Sequence, residues 1–157
     1  MTKLRTLEAV GCDIANIYGL HSAFRLRHLA LQNNDITCID DLYYLNNLES
    51  LNLEHNPISD LCVMIQLKRM KILNLSSTGT RDIEWIKYQL DLEKLILDNN
   101  QITDLSPLTN HTHLTKLSIN GNGLSPKSLT TYIPHIKASN PGIELSYDEP
   151  ELTHSTR

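Results

Sequence analysis

Leucine recurs on a 22-residue ruler along this chain, at Leu7, Leu29, Leu51, Leu73, Leu95 and Leu117. Around each marker the pattern has period two. Leu29 and Leu31, or Leu51 and Leu53, point one way and their neighbours the other, which predicts a short strand. Further on, apolar residues fall at every third position, as in Ile36, Ile39, Leu42 and Leu45. That spacing predicts a tight 3₁₀-like or extended return. One strand and one return make one coil. A single coil cannot bury its own leucines, so neighbours must stack and share a continuous core.

The full unit reads Leu-x-x-Leu-x-Leu-x-x-Asn-x-Ile-x-x-Ile-x-x-Leu-x-x-Leu-x-x. Its clearest copies are LRHLALQNNDITCIDDLYYL (26–45), LESLNLEHNPISDL (48–61) and LEKLILDNNQITDLSPL (92–108). This resembles the leucine-rich-repeat family, in the 22-residue class shared by phosphatase regulatory subunits and bacterial internalin-like proteins. The resemblance covers roughly residues 4–124, with an atypical end unit to about 148. It implies an α/β solenoid: a short parallel β-sheet on the concave face, 3₁₀ or irregular returns outside, and a C-terminal capping helix. The domain expected is 1–148, six repeats with an end unit of about 125–148, followed by a flexible tail, 149–157.

Cys12, Asn34, Asn56, Thr78, Asn100 and Asn122 form a column at the strand ends. An inward amide there can bond the backbone of adjacent coils, so the column reads as a structural ladder. Asp60, Asp82 and Asp104 form a second column, expected to cap the returns. The pattern is weakest at 70–90. Thr78 and Thr80 replace the usual residues, Gln89 takes a leucine place, and Leu90 comes one step late. Trp85 and Tyr88 are expected to cover Leu90. In the end unit Ser125 and Pro126 read as an N-cap and first helical residue. Leu129, Tyr132, Ile133 and Ile136 follow at helical spacing. Pro134 should bend or end that helix. Asn140-Pro141-Gly142 should turn into a closing strand at 143–145. Nothing comparable precedes the first unit, so its apolar end is a candidate for self-association.

Composition narrows the function. The chain has 157 residues and a net charge of −4, without the basic excess that nucleic-acid binding needs. No apolar run reaches the length of a membrane helix. The N-terminus enters the repeat almost at once, leaving no room for a signal peptide, so the expected location is cytoplasmic, with signal-independent secretion left open. Three cysteines without a Cys-x-x-Cys pair fit reduced thiols.

Chemistry is sparse. His111 and His113 are two apart and could share a metal, but lack a third ligand, so both are expected in a solvated loop. His55 beside Glu54 suggests an acid–base pair without a nucleophile. Gly121-Asn-Gly123 lacks the phosphate-loop pattern. No catalytic residue, metal or cofactor is expected.

A repeat array instead offers a concave binding surface. Six strands about 4.8 Å apart span roughly 24 Å, room for a standard protein interface. The outward residues predicted to bind a protein partner are His28, Asn52, Glu54, Ile72, Asn74, Lys94, Ile96, Asp98 and Lys116. Ile72 and Ile96 stand out as apolar residues among polar ones. A second candidate is the return edge carrying Tyr44 and Tyr88, with Tyr43 and Gln66 nearby. The expected function is a non-catalytic protein–protein interaction module, an adaptor or regulatory subunit. Two alternatives stay open: a structural or self-associating segment of a larger array, and a phosphatase-regulatory-type subunit or secreted bacterial effector.

Overall fold

Each 22-residue step of the sequence returns the chain to the next rung of one parallel sheet. In the computed structural model, which describes residues 3–149, the strands are β1 (Thr6–Glu8), β2 (His28–Ala30), β3 (Ser50–Asn52), β4 (Ile72–Asn74), β5 (Lys94–Ile96), β6 (Lys116–Ser118) and β7 (Glu144–Ser146). They lie side by side in chain order, all parallel. Leu7, Leu29, Leu51, Leu73, Leu95 and Leu117 face one another across the ladder, with Leu145 closing it. From Leu29 to Leu117 these leucines are almost wholly buried. Leu7, on the first coil, is only partly so.

The returns are short 3₁₀ segments: Leu20–Ala23, Asp40–Tyr44, Cys62–Gln66, Glu84–Tyr88 and Ser106–Leu108. Ile36, Ile39, Leu42 and Leu45 are buried as the three-residue spacing requires. The aspartate column caps these segments by an Asx-type bond two residues ahead. Asp60 accepts from the Cys62 amide at 2.7 Å, Asp82 from Glu84 at 2.7 Å and Asp104 from Ser106 at 2.9 Å.

Between strand and return the backbone turns through the left-handed region at Gly11, Asn33, His55, Ser77, Asn99 and Gly121, with φ between 53° and 66°. Asn and Gly tolerate this best. At Gly121 the space is closed as well, because a Cβ would run into Asn99.

The asparagine ladder follows. Asn34 donates Nδ2 to the Ala9 carbonyl one coil back (2.8 Å) and to Leu31 in its own coil (2.8 Å). Its Oδ1 accepts from the amides of Cys12 and Ile14, both at 3.0 Å. Asn56, Asn100 and Asn122 repeat the arrangement. Thr78 keeps the bond from its Oγ1 to the Leu75 carbonyl at 2.8 Å, and its other side-chain contacts go to Thr80 in its own coil and Asn100 in the next, with none back to the preceding coil. Its shorter side chain does not reach coil three, where the Ile58 amide bonds the Asn56 carbonyl instead.

Three expectations need correction. Leu90 is not covered: it is 49% exposed, and Tyr88 stays at the surface. Gln89 itself fills the core place, fully buried, and donates Nε2 to the Met64 carbonyl of the preceding coil. His111 is not in a solvated loop. It lies 22 residues after Gln89, in the column of Leu45 and Leu67, and is fully buried. Pro134 neither ends nor breaks the last helix. Ser125 accepts from the Ser128 amide at 3.2 Å. A π-helical turn (Ser128–Tyr132) then leads into α1 (Ile133–Ser139). The wider turn removes the clash that the proline ring would make with the carbonyl four residues back. The expected tail, apart from Glu149, lies outside the described residues.

Candidate functional site

The concave surface is built by the residues flanking each inward leucine. All the residues predicted to bind lie on it. The register sets His28, Ser50, Ile72, Lys94 and Lys116 in one row, and Ala30, Asn52, Asn74, Ile96 and Ser118 in the next. Ile72 and Ile96 are therefore diagonal neighbours, Ile72 opposite Lys94 and Ile96 opposite Asn74. Ile72 is 40% exposed. Both border a shallow hollow of about 310 Å³ over Ala30, Ser50 and Leu51, whose other lining includes His28 and Asn52. The hollow exists because Ala30 and Ser50 are small beside the residues around them.

Hydrogen bonds divide the predicted residues into two groups. Asp98 accepts from the Ser118 hydroxyl (2.8 Å), the Asn120 amide (2.7 Å) and the Asn120 side chain (3.0 Å). Asn74 donates to Glu54 at 3.0 Å and accepts from Ser76. Asn52 caps the Glu54 amide at 3.0 Å. Lys116 pairs with Glu144 at 2.6 Å. These groups stiffen the surface. His28, Ile72, Lys94 and Ile96 carry no side-chain bond among the described residues; His28, Ile72 and Ile96 line the hollow, and Lys94 stands opposite Ile72 on the next strand.

The left-handed turn at His55 brings its Nδ1 to 3.7 Å from Glu54 Oε1, although the two residues are consecutive. Both stand open to solvent, on the sheet's rim. His111 and His113 are separated by the wall of the coil, the first inside and the second exposed near the Leu90 carbonyl. Among the described residues no three His, Cys, Asp or Glu side chains converge as a metal site would need. The cysteines are free thiols. A hydrogen bond to Asp60, followed by its charge, raises the Cys62 thiol above its ordinary pKa. Among the described residues no helix is long and apolar enough to cross a membrane.

One feature escaped sequence reasoning although its signal was present. Arg27, Glu49, Lys71 and Glu93 alternate in sign on the same 22-residue spacing. In the fold Arg27 pairs with Glu49 (3.1 Å) and Lys71 with Glu93 (3.0 Å), in a row just before the strands.

A family model for leucine-rich repeats matches residues 25–63 and 91–132, together more than half of the chain. The chain belongs to the leucine-rich-repeat family. Among solved structures this leucine-rich-repeat chain is similar to an internalin of Listeria monocytogenes, with a TM-score of 0.82 and 25% identity over 94% of this chain and 44% of the other. A leucine-rich-repeat protein of Leptospira interrogans gives 0.76 and 26%, over 92% and 37%. Internalin C2 of Listeria monocytogenes shares the fold at 0.70 and 23%, over 96% and 76%. The chain thus spans less than half the length of the first two. No curated protein matches it by sequence.

Proposed function

We propose that this chain is a non-catalytic recognition module that binds a protein partner on its concave sheet, with Ile72 and Ile96 at the centre and His28 and Lys94 beside them. The observation that carries the reading is the exposure of Ile72 in mid-sheet, at the edge of a hollow whose lining includes the unengaged side chains of His28 and Ile96. An apolar group there gains most from a partner that removes it from water. The bonded rows around it hold the surface in shape, which lowers the ordering cost of binding. Membership of the family and likeness to an internalin support a protein as the partner. An adaptor or regulatory subunit is the role this suits. Free thiols on all three cysteines fit a reducing, cytoplasmic setting.

The test is partner capture from the source cell with wild type and with Ile72→Asp/Ile96→Asp. The double variant should lose the partner while unfolding at the same urea concentration. Retained capture would move the site off this face.

A second reading rests on the first coil. Leu4, Leu7, Ala9 and Ile14 are only partly buried, and β1 has an unpaired edge among the described residues. Such an end suits self-association or stacking within a longer array. Sedimentation across a concentration series separates this from a monomeric module.

A further inference from the structure

Four surface rings of this chain are covered by its own cations, while Tyr18, 80% exposed and alone among the described residues, is not. The Arg25 guanidinium lies 6.0 Å from the centre of Phe24, Lys87 5.4 Å from Tyr88, Lys127 5.3 Å from Tyr132 and Lys137 5.3 Å from Tyr147. Tyr43 and Tyr44 have no such cover among the described residues. They are 51% and 57% exposed, and their rings meet edge to face at 5.2 Å. Besides Tyr43, Tyr44 meets the His21 ring in a T-shaped contact at 5.9 Å, and His21 is itself paired to Asp41.

These two rings border a groove of about 730 Å³ on the return side of the solenoid, opposite the concave sheet. Asp40, Cys62, Val63 and Gln66 complete it, with Asp41 at its edge. No cation lines it. The stretch from 28 to 67 contains six carboxylates and not one Lys or Arg. Asp41 is occupied by the Gly19 amide and His21, and Asp60 by the Cys62 amide. Asp40 is exposed and has no hydrogen bond or ion pair among the described residues.

We infer that this groove binds a basic segment of a protein partner, with an arginine laid against Tyr43 and Tyr44 and its guanidinium paired to Asp40. Two ring faces and a carboxylate in one groove are what a guanidinium uses together, since it stacks and forks at once. Lysine would fit less well, because its ammonium loses more hydration. The Asp40 and Asp41 carboxylates, with no cation among the groove's lining residues, draw a basic segment in and repel nucleic acid or an anionic membrane. The surface is separate from the concave sheet, so it stands or falls independently of the function proposed above.

The probe is the peptide acetyl-Gly-Arg-Arg-Gly-Arg-Arg-Gly-amide, titrated into the full chain at low salt and followed by backbone amide shifts, with a Glu-for-Arg peptide as control. The arginine peptide should shift the amides of Tyr43, Tyr44, Val63 and Gln66 saturably. Tyr44→Ala and Asp40→Asn should each raise Kd at least fivefold. Tyr44→Phe should keep binding within twofold, and so should Asp35→Asn, which removes the same charge elsewhere in the acidic stretch. Equal loss in Asp35→Asn, binding of the Glu peptide, or shifts centred on another surface would overturn the proposal. So would a dimer that dissociates on Tyr44→Ala, since a second copy would then fill the groove.

Discussion

The Asn100 side chain spans two coils: its Oδ1 accepts from the Thr80 amide at 2.9 Å while its Nδ2 donates to the Leu75 carbonyl at 2.8 Å. Both partners belong to the preceding coil, and all three residues are buried. Asn100→Ala leaves a buried amide and a buried carbonyl without partners, at about 1–3 kcal/mol each. The variant should lose about 3 kcal/mol in urea denaturation. Asn122→Ala, on a half-buried rung, should lose less. Equal losses would show that burial of the rung does not matter.

Thr78 breaks the ladder between coils three and four, and Thr80 fills a place taken elsewhere by Ile36, Ile58 and Ile102. The two hydroxyls lie 2.8 Å apart and satisfy one another inside the core. Replacing Thr78 alone strands the Thr80 hydroxyl, whereas Thr78 keeps its bond to the Leu75 carbonyl when Thr80 is replaced. The double variant Thr78→Asn/Thr80→Ile restores both the cross-coil bonds and an apolar side chain. It should raise stability by about 1–3 kcal/mol, whereas Thr80→Ile alone should gain less. A thermal melt of the three proteins distinguishes additive from coupled behaviour.

The sequence carried the register of the sheet, because each coil repeats the same inward leucine and a slip of one residue would turn every leucine to solvent. The asparagine ladder was legible for the same reason. What could not be read was the inside of the irregular coils. Gln89 and Leu90 compete for one core place, and the fold puts Gln89 there with its Nε2 bonded to the Met64 carbonyl. His111 looks like a loop histidine beside His113 until its column is followed back to Leu45 and Leu67. On the concave face the sequence assigned sides correctly but not engagement: Asp98 and Lys94 share a strand end and its start, yet one is bound up by Ser118 and Asn120 and the other is open. The groove beside Tyr43 depended on which rings lack a cation, a relation between side chains that spacing does not encode.

His111 should make the fold sensitive to acid. Among the described residues neither ring nitrogen has a hydrogen-bond partner, and the side chain is buried. Burial is the main cause that holds its pKa below the ordinary 6.5; the carbonyls of Leu108, Gln89 and Ile86 oppose this in part, and no charged side chain contributes. Below pH 6.5 the unfolded chain takes up a proton that the folded chain resists, so stability falls as pH falls; above it both states are neutral and the dependence vanishes. His111→Leu should flatten the part of the slope below pH 6.5 and, by removing unpaired nitrogens, raise stability at neutral pH by about 1–3 kcal/mol. A slope unchanged by the substitution would assign the acid response to other groups.

The charge row and the leucine row run side by side, and they should differ sharply in worth. Lys71 and Glu93 are paired at 3.0 Å, but their side chains are 51% and 44% exposed. Water and salt screen such a pair, so Glu93→Gln should leave the unfolding midpoint nearly unchanged. Leu73 lies two residues from Lys71 and is fully buried between Leu51 and Leu95. Leu73→Ala removes apolar contact on both sides and leaves a cavity in mid-array, where the neighbouring coils cannot close it without breaking register. It should cost about 2–5 kcal/mol. Denaturation curves for the two variants at low and high salt settle the order: the leucine loss should be independent of salt, and any effect of the glutamate should shrink with it.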